Sequence, residues 1–276
     1  MENQDLWLIP LGFAVGAFGT LVGAGGGFVL VPLLLLLYPK KDPETITSMS
    51  LLVVCANAAS GSLAYARQKR IDYRSGAWFV AGTFPGAIAG AVVVRYIPRR
   101  EFDAMFATVL ILLGAFLLLR SGNTRIADPV TGRGVVRRRI TDVHGNTFVY
   151  SFHLWKGVLI SAFVGFISSL LGIGGGIIHV PVMATMLHFP VHIAAATSHF
   201  VLAFMAGEGT AVHFATGALT WDRSLAQALL IGVGAIPGAQ VGALLSHRLQ
   251  GGVIIRALAA ALVLVGVRLA VKAIAG

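Results

Sequence analysis

Eight apolar segments, separated by short polar stretches, run along most of the chain. A membrane-spanning helix needs about 20 predominantly apolar residues, and the eight segments are close to that length or exceed it. The segments are Leu6–Tyr38, Thr45–Ala66, Ser75–Tyr96, Phe102–Leu119, Trp155–Leu187, Ile193–Phe214, Ser224–Leu245 and Val253–Ala273. This pattern predicts an all-α polytopic membrane protein.

Glycine clusters interrupt the first and fifth segments, which are too long for a single crossing. A continuous helix over Leu6–Tyr38 would be about 50 Å long, whereas the hydrocarbon core of a bilayer is about 30 Å thick. The clusters read GAGGGFVLVP from residue 23 and GIGGGIIHVP from residue 172. Each glycine in a helix interior costs about 1 kcal/mol relative to alanine, so we expect both segments to break there.

The two clusters belong to an internal repeat, because further matching motifs follow each of them in the same order. These are the turns Ile71–Ser75 and Thr220–Ser224 and the small-residue segments Gly82–Gly90 and Gly234–Gly242. Broken helices at corresponding positions of two repeats are typical of a secondary transporter's binding site. We therefore predict two homologous four-segment transmembrane repeats, residues 1–120 and 154–276, joined by an insert, residues 121–153.

The insert is basic, and cytoplasmic loops of membrane proteins carry an excess of lysine and arginine. Its arginines are Arg125, Arg133, Arg137, Arg138 and Arg139. Polar and apolar residues alternate on both sides of His144-Gly145-Asn146, which is typical of a hairpin. We predict a small β-hairpin on the cytoplasmic face.

Two topologies remain open at this point. If each glycine-broken segment crosses the membrane once, each repeat has four crossings, the repeats are parallel and both termini are cytoplasmic. If each broken segment is a re-entrant hairpin, each repeat has three crossings, the repeats are inverted and both termini lie outside. Both topologies place Arg67, Lys69, Arg70 and Arg74 on the cytoplasmic side, so charge counting does not separate them.

Composition supports the membrane assignment and excludes several classes of protein. The chain is 57% hydrophobic and 12% charged, with a mean hydropathy of +0.83, whereas soluble proteins are about 25% charged. The net charge of +10 comes from short polar loops, and no basic face or base-stacking platform indicates nucleic-acid binding. A single cysteine, Cys55, rules out a disulfide framework. We expect a multi-pass protein of the inner (plasma) membrane.

Each glycine cluster is a candidate anion site. A helix that starts after the cluster leaves its first amide groups unpaired, and these amides together with the helix dipole attract anions. The candidate substrate-binding glycines are Gly25, Gly26, Gly27, Gly174, Gly175 and Gly176. Close helix packing is the competing interpretation of the clusters, and we favour it for the two later small-residue segments.

Polar residues inside the apolar segments are a second group of candidates, because such residues are costly in lipid and often functional. Glu208 and His213 are candidates for proton coupling, with a structural ion pair between Glu208 and a histidine as the alternative. Candidates for substrate binding are Ser48, Ser50, His179, Thr197, Ser198 and His199. The hydroxyl residues could instead bond to their own helix backbone. A zinc site of His199, Glu208 and His213 is a third, weaker alternative, since their spacing fits no compact helical metal motif.

The paired GxGGGxxxVP motifs, the aspartate turns and the later small-residue helices resemble those of the TauE/SafE sulfite exporter family, also called the 4-toluene sulfonate uptake permease family. The resemblance covers nearly the whole chain apart from the insert. It implies transport of sulfite, of organosulfonates such as sulfoacetate, or of related sulfur-containing anions. It also implies a binding site at the paired glycine motifs.

These observations lead to one functional hypothesis and two alternatives. The hypothesis is a secondary transporter, not an enzyme and without a cofactor, that exports a small sulfur-containing anion bound at the two helix starts near the bilayer midplane. Its expected partners are the anion, the lipid bilayer and protons for coupling, and its oligomeric state stays open, a homodimer included. The alternatives are an anion channel without alternating access and an intramembrane metalloenzyme that uses His199, Glu208 and His213.

Overall fold

The computed structural model describes residues 5–120, 134–246, 248–249 and 251–275. Ten helices and one two-stranded sheet make up these ranges. The first half contains α1 (Leu8–Leu21), α2 (Gly27–Leu37), α3 (Pro43–Arg67), α4 (Tyr73–Val93), continued by a 3-10 turn, and α5 (Arg99–Arg120). Strands β1 (Val135–Thr141) and β2 (Thr147–His153) follow. The second half contains α6 (Leu154–Leu171), α7 (Gly176–Thr185), α8 (Val191–Ala215), α9 (Arg223–Ser246) and α10 (Gly251–Ala275).

The helices confirm the predicted class of an all-α polytopic membrane protein. Among the described residues, five helices are long and apolar enough to cross a membrane, namely α3, α4 with its 3-10 turn, α5, α6 and α9. The helix order is the same in both halves, and each half contains one glycine break. Arg125 and Arg133 of the insert lie outside the described residues.

The predicted β-hairpin is also confirmed. Strands β1 and β2 pair antiparallel, with Val135 opposite His153 and Thr141 opposite Thr147. The Asp142 carboxylate organises the turn by accepting hydrogen bonds from the backbone amides of His144 and Asn146, both at 2.9 Å. Although burial opposes its ionisation, these hydrogen bonds and nearby Arg70 hold the pKa of Asp142 below its usual range.

The first glycine-broken segment forms a helical hairpin, hairpin 1, that returns to the face at which it starts. Lys41, which follows α2, donates to the side-chain oxygen of Gln227 at 3.2 Å. The side-chain amide of Gln227 donates in turn to Asp5, which precedes α1, at 3.4 Å. The two ends of the segment therefore lie side by side, although a continuous helix would hold them about 50 Å apart.

The second broken segment forms hairpin 2 in the same way. The rings of Phe152, before α6, and Phe189, after α7, have centroids 4.9 Å apart. Helix α6 is long enough to be counted as a crossing, but its continuation α7 brings the chain back to the starting end. Both broken segments therefore return to the face at which they start, which is the arrangement that the re-entrant topology predicts.

Small residues join each helical hairpin to a helix from the other half. Helix α1 packs in parallel on α9, where a Cβ atom added at Gly238 would clash with the carbonyl oxygen of Phe13. Helix α6 packs in parallel on α4, where a Cβ atom added at Gly86 would clash with the carbonyl oxygen of Ala162. This confirms the packing interpretation of the small-residue segments, since only glycine lets the two backbones come so close.

The long helices run between two faces of the molecule. We call the face that carries Arg67, Asp72 and the β-hairpin the basic face, and the face that carries Asp5 and Lys41 the opposite face. Helices α3 and α8 cross the centre antiparallel, and α5 packs antiparallel on α10. This layering surrounds the glycine turns of both helical hairpins with protein.

Candidate functional site

The two glycine turns meet at the centre of the protein. A Cβ atom added at Gly27 would lie 2.7 Å from the carbonyl oxygen of Ile173 in the other turn. The reciprocal contact joins Gly176 to the carbonyl oxygen of Gly23 at 2.6 Å. Every residue of the turns, 23–27 and 172–176, is buried. One turn from each half therefore contributes to a single central site.

Both turns use the conformational freedom of glycine. Gly25 and Gly26 have φ values of 76° and 81°, and Gly174 and Gly175 have 78° and 81°. Residues with a side chain rarely adopt these left-handed values. The turns place Gly26 and Gly175 at the N-terminal caps of α2 and α7, as the broken-helix prediction required.

Free amide groups mark the start of each short helix. In the described part of the chain, no acceptor pairs with the amides of Gly26 and Gly27, or with those of Gly175 and Gly176. Helix starts normally leave such groups unpaired, but here they are buried at the centre of a membrane protein. Buried donors without a partner are costly, so this region has the donors that an anion would need.

The first turn is supported by a hydrogen-bonded network. The side-chain amide of Asn57 donates to the carbonyl oxygen of Gly25 at 3.2 Å. The Thr20 hydroxyl donates to the side-chain oxygen of Asn57 at 3.3 Å and lies 3.2 Å from Nε2 of His199. The Tyr65 hydroxyl donates to the carbonyl oxygen of Thr20 at 2.7 Å. Polar side chains from α1, α3 and α8 thus hold the first turn in place.

The second turn has fewer partners. The Ser50 hydroxyl donates to the carbonyl oxygen of Gly172 at 2.7 Å. The buried hydroxyl groups of Ser168, Ser169 and Thr47 have no partner among the described residues. The terminal methyl group of Met205 lies 2.9 Å from the position of a Cβ atom added at Gly175, so this side chain covers the turn.

Four of the remaining predicted substrate-binding residues do not share a common set of hydrogen-bond partners. The Ser48 hydroxyl donates to Thr45 of its own helix at 2.8 Å, as the backbone-bonding alternative predicted. The Thr197 hydroxyl accepts a hydrogen bond from the backbone amide of Asp72 at 3.0 Å. The buried Ser198 hydroxyl has no hydrogen-bond partner among the described residues. His179 lies within α7, where its Nε2 is 3.0 Å from the Ser161 hydroxyl.

Glu208 and His213 lie in α8, further along from the first-turn network. Within the described ranges, neither Glu208 Oε1 nor the two ring nitrogens of His213 have a hydrogen-bond partner. No group of three histidine, cysteine, aspartate or glutamate side chains there could hold a metal ion. His199 and His213 are about 21 Å apart along one helix, so the zinc-site alternative is wrong.

Sequence reasoning missed several residues around the turns. Thr20 and Tyr65 support the first turn together with Asn57, which the sequence indicated only as a polar residue inside an apolar segment, and Ser168 and Ser169 precede the second turn. One signal could have found some of them: Thr20 and Ser169 each lie three residues before the first glycine of a cluster. Tyr65 had no such signal, because only the crossing of α3 with α1 brings it near.

Polar contacts close the structure at both faces. On the opposite face, Lys41 donates a hydrogen bond to the hydroxyl of Ser224, near the start of α9. Burial lowers the pKa of Lys41. On the basic face, Nε of Arg138 in β1 donates to the Ser75 hydroxyl of α4 at 3.1 Å. Tyr150 donates to Asp72 at 2.8 Å, and burial together with this carboxylate raises the pKa of Tyr150. The β-hairpin is therefore anchored to the start of α4 on the basic face.

Long apolar helices and two glycine-broken helical hairpins that meet at the centre are typical of a multi-pass membrane transporter. The chain belongs to the sulfite exporter TauE/SafE family, whose sequence model matches residues 8–269. It is 33% identical to the probable membrane transporter protein YunE of Bacillus subtilis over 95% of this chain and 96% of the relative.

More distant relatives have the same general description. A probable membrane transporter protein of Methanocaldococcus jannaschii is 27% identical over 72% of this chain and 69% of its own length. A probable membrane transporter protein of Xylella fastidiosa is 26% identical over 86% of this chain and 82% of its own length. No solved structure matches the chain.

Proposed function

We propose that the protein is a secondary transporter that exports sulfite or a small organosulfonate. The observation that carries the proposal is the meeting of two glycine turns, each with free amides at a helix start, inside a membrane protein of this family. Backbone amides at helix starts suit oxyanions. The site contains no fixed basic side chain, which helps release, since transport requires binding weak enough for the anion to leave.

Burial of the turns supports alternating access rather than an open channel. Residues 23–27 and 172–176 are all buried. An anion can therefore reach the turns only after a conformational change. Each helical hairpin packs tightly on a helix of the opposite half. We therefore expect two rigid bodies to move during transport. One consists of α1, α2 and α9, and the other of α6, α7 and α4.

The membrane potential supports the proposed direction of transport. An inside-negative potential favours anion efflux by about 2.3 kcal/mol per charge per 100 mV. Export of sulfite therefore needs no further driving force, whereas uptake would need coupling to protons or another ion.

Flux of radiolabelled sulfite in proteoliposomes tests the proposal. We expect saturable flux that responds to an imposed voltage and is competed by unlabelled sulfonates. Gly175→Ala should reduce the flux strongly, because its methyl group would lie 2.9 Å from Met205 and 3.0 Å from the Ser168 hydroxyl.

Gly217→Ala is the matched control. Gly217 also has a positive φ, 77°, but no atom lies within 4 Å of an added Cβ, so the change carries the backbone strain without touching the turns. Absence of sulfite and sulfonate flux in folded wild-type protein would contradict the proposed substrate class. Linear, non-saturating flux without counterflow would instead indicate the channel alternative.

A further inference from the structure

The two glycine turns differ in a way that their similar sequences do not suggest. Both turns have unpaired amides, but around the first turn polar side chains from three helices bond to its carbonyl oxygens and to one another, whereas the second turn faces buried hydroxyl groups without partners among the described residues. An unpaired buried hydroxyl is costly unless something else satisfies it. The difference between the turns therefore points to a ligand at one of them.

The matching positions of the two halves explain why the second turn lacks a network. The sequences of the two halves can be aligned on their glycine clusters and on the Thr-Ser pairs that begin at residues 47 and 197. Ser169 is then aligned with Thr20. The three partners of the first turn then correspond to residues that cannot form the same bonds. Asn57 corresponds to Gly207, His199 to Met49 and Tyr65 to Ala215.

Ser168 and Ser169 also differ from three other hydroxyl residues of α6, α7 and α8. Ser161, Thr185 and Thr210 each donate to a carbonyl oxygen four residues earlier in their own helix, at 2.7 to 2.8 Å. Ser168 and Ser169, both fully buried, make no such bond. The Ser168 hydroxyl instead lies 3.0 Å from the position of a Cβ atom on Gly175, against the start of α7. The Ser169 hydroxyl lies 3.4 Å from the position of a Cβ atom on Gly209, in the helix that also carries Met205.

We propose that the second glycine turn alone holds the oxyanion, with the hydroxyls of Ser168 and Ser169 and the amides of Gly175 and Gly176 as donors. This inference rests on the proposed function and names the binding residues within the central site. The ligand is a small group with several oxygens on one centre, such as sulfite or the sulfonate end of a longer molecule. The first turn is then a rigid support against which the second turn is positioned.

Met205 covers the proposed site in this conformation. Its terminal methyl group lies against Gly175, and the side chain is 1% exposed. Methionine has three flexible torsions and fills irregular gaps, so its end can move aside when an oxyanion enters. A branched residue at this place would be harder to displace.

The decisive experiment compares hydroxyl removal at the two turns. Ser168→Ala and Ser169→Ala should raise the KM for radiolabelled sulfite by about ten- to a hundred-fold, the range expected for lost hydrogen bonds to a charged group. Neither change should lower the Tm of the purified protein, because no protein partner loses a bond. Thr20→Val, the comparison at the first turn, should lower the Tm, because Thr20 is bonded to Asn57 and lies beside His199. It should raise the KM less than either serine variant, because the Thr20 hydroxyl supports the turn without donating to the anion.

Two results would overturn the inference while leaving the proposed function intact. One is an unchanged sulfite KM in both serine variants. The other is an equal rise in KM for Thr20→Val, which would place the anion between the turns.

A wild-type protein that moves no sulfite would instead overturn the proposed function. The inference would then be decided by measuring the Tm of the purified protein with sulfate, thiosulfate, sulfoacetate and phosphate. If an anion raises the Tm of the wild-type protein but not that of Ser168→Ala or Ser169→Ala, the inference is supported. If none of these anions raises the wild-type Tm, the inference is wrong.

Discussion

At the scale of single residues, the protein separates polar groups that hold its structure from polar groups without a protein partner. Asn57 and Tyr65 use their side chains to satisfy backbone carbonyl oxygens near the first turn. Ser168, Ser169 and Glu208 have buried oxygen atoms without a partner among the described residues. Since intramembrane polar groups are costly, the second group contains the better candidates for ligand and proton binding.

Glu208 is the residue whose role in coupling can be tested most directly. Glu208→Gln keeps the size of the side chain but cannot exchange a proton. If this carboxylate couples transport to protons, the variant should lose the acceleration of sulfite flux by a pH gradient and keep the response to voltage. Glu101→Gln, at an exposed position in the first turn of α5, is the control. Equal pH-gradient responses in Glu208→Gln and wild type would remove Glu208 from the coupling role.

At the scale of elements, backbone contacts at glycine residues decide how the helices associate. Lipid offers apolar helices no hydrophobic gain from packing together, so membrane helices associate through close backbone contact. Here the contacts join α1 to α9 and α4 to α6, and each joins a helical hairpin to a crossing helix of the other half. The two halves are therefore interlocked rather than placed side by side.

Two glycines in α9 should respond in opposite directions to the same substitution. Gly238→Ala places a methyl group against the backbone of Phe13 in α1, and overpacking of this kind costs about 1–3 kcal/mol. Gly232→Ala meets only the Ala56 Cβ atom at 3.8 Å, so it should gain up to about 1 kcal/mol from helix propensity. Thermal unfolding of the purified variants measures both effects. A Tm that falls equally in both would contradict the assigned α1–α9 contact.

At the scale of the whole molecule, the return of both helical hairpins fixes which loops share a face. Lys41 and Asp5 meet through Gln227 on the opposite face. The Arg70–Asp142 ion pair, at 3.6 Å, and the rings of Phe152 and Phe189 connect segments on the basic face. Among the described residues, six helices therefore run between the faces, namely α3, α4, α5, α8, α9 and α10. The positive-inside rule predicts that the basic face lies toward the cytoplasm.

Cysteine accessibility in whole cells tests this topology. In a Cys55→Ser background, which removes the only cysteine, single cysteines at the exposed positions Lys40 and Thr220 should react with an impermeant maleimide from outside. Single cysteines at exposed His144 and His188 should react only after the cells are opened. The eight-crossing alternative puts His188 on the side opposite His144 and Thr220 on the side opposite Lys40, so labelling in that pattern would refute the re-entrant arrangement.

Most of the helices and their breaks could be predicted from the sequence, because an apolar segment long enough to span a bilayer has few alternatives to a helix. The predicted segment Thr45–Ala66 lies within α3, and the breaks fall at the glycine clusters as expected. The hairpin of the insert also follows from local alternation and its glycine turn. These features depend on neighbouring residues only, which explains their success.

The candidate site was predictable only in part. The sequence identified the glycine turns, whose backbone conformation depends on the glycines themselves. It did not identify Thr20 or Tyr65 as their supports, nor did it separate Ser50, which bonds to Gly172, from Ser48, which bonds to its own helix. Those differences depend on which face of each helix meets a partner from another part of the chain.

The sequence by itself determined the membrane environment, the number of apolar segments, the position of the glycine breaks and the β-hairpin, because composition and short-range patterns control these properties. Only the tertiary structure decided that the broken segments turn back, that the two turns meet and that their polar surroundings differ. These outcomes depend on contacts between residues far apart in the chain, such as Asn57 with Gly25 and Gly238 with Phe13. No local pattern encodes such contacts.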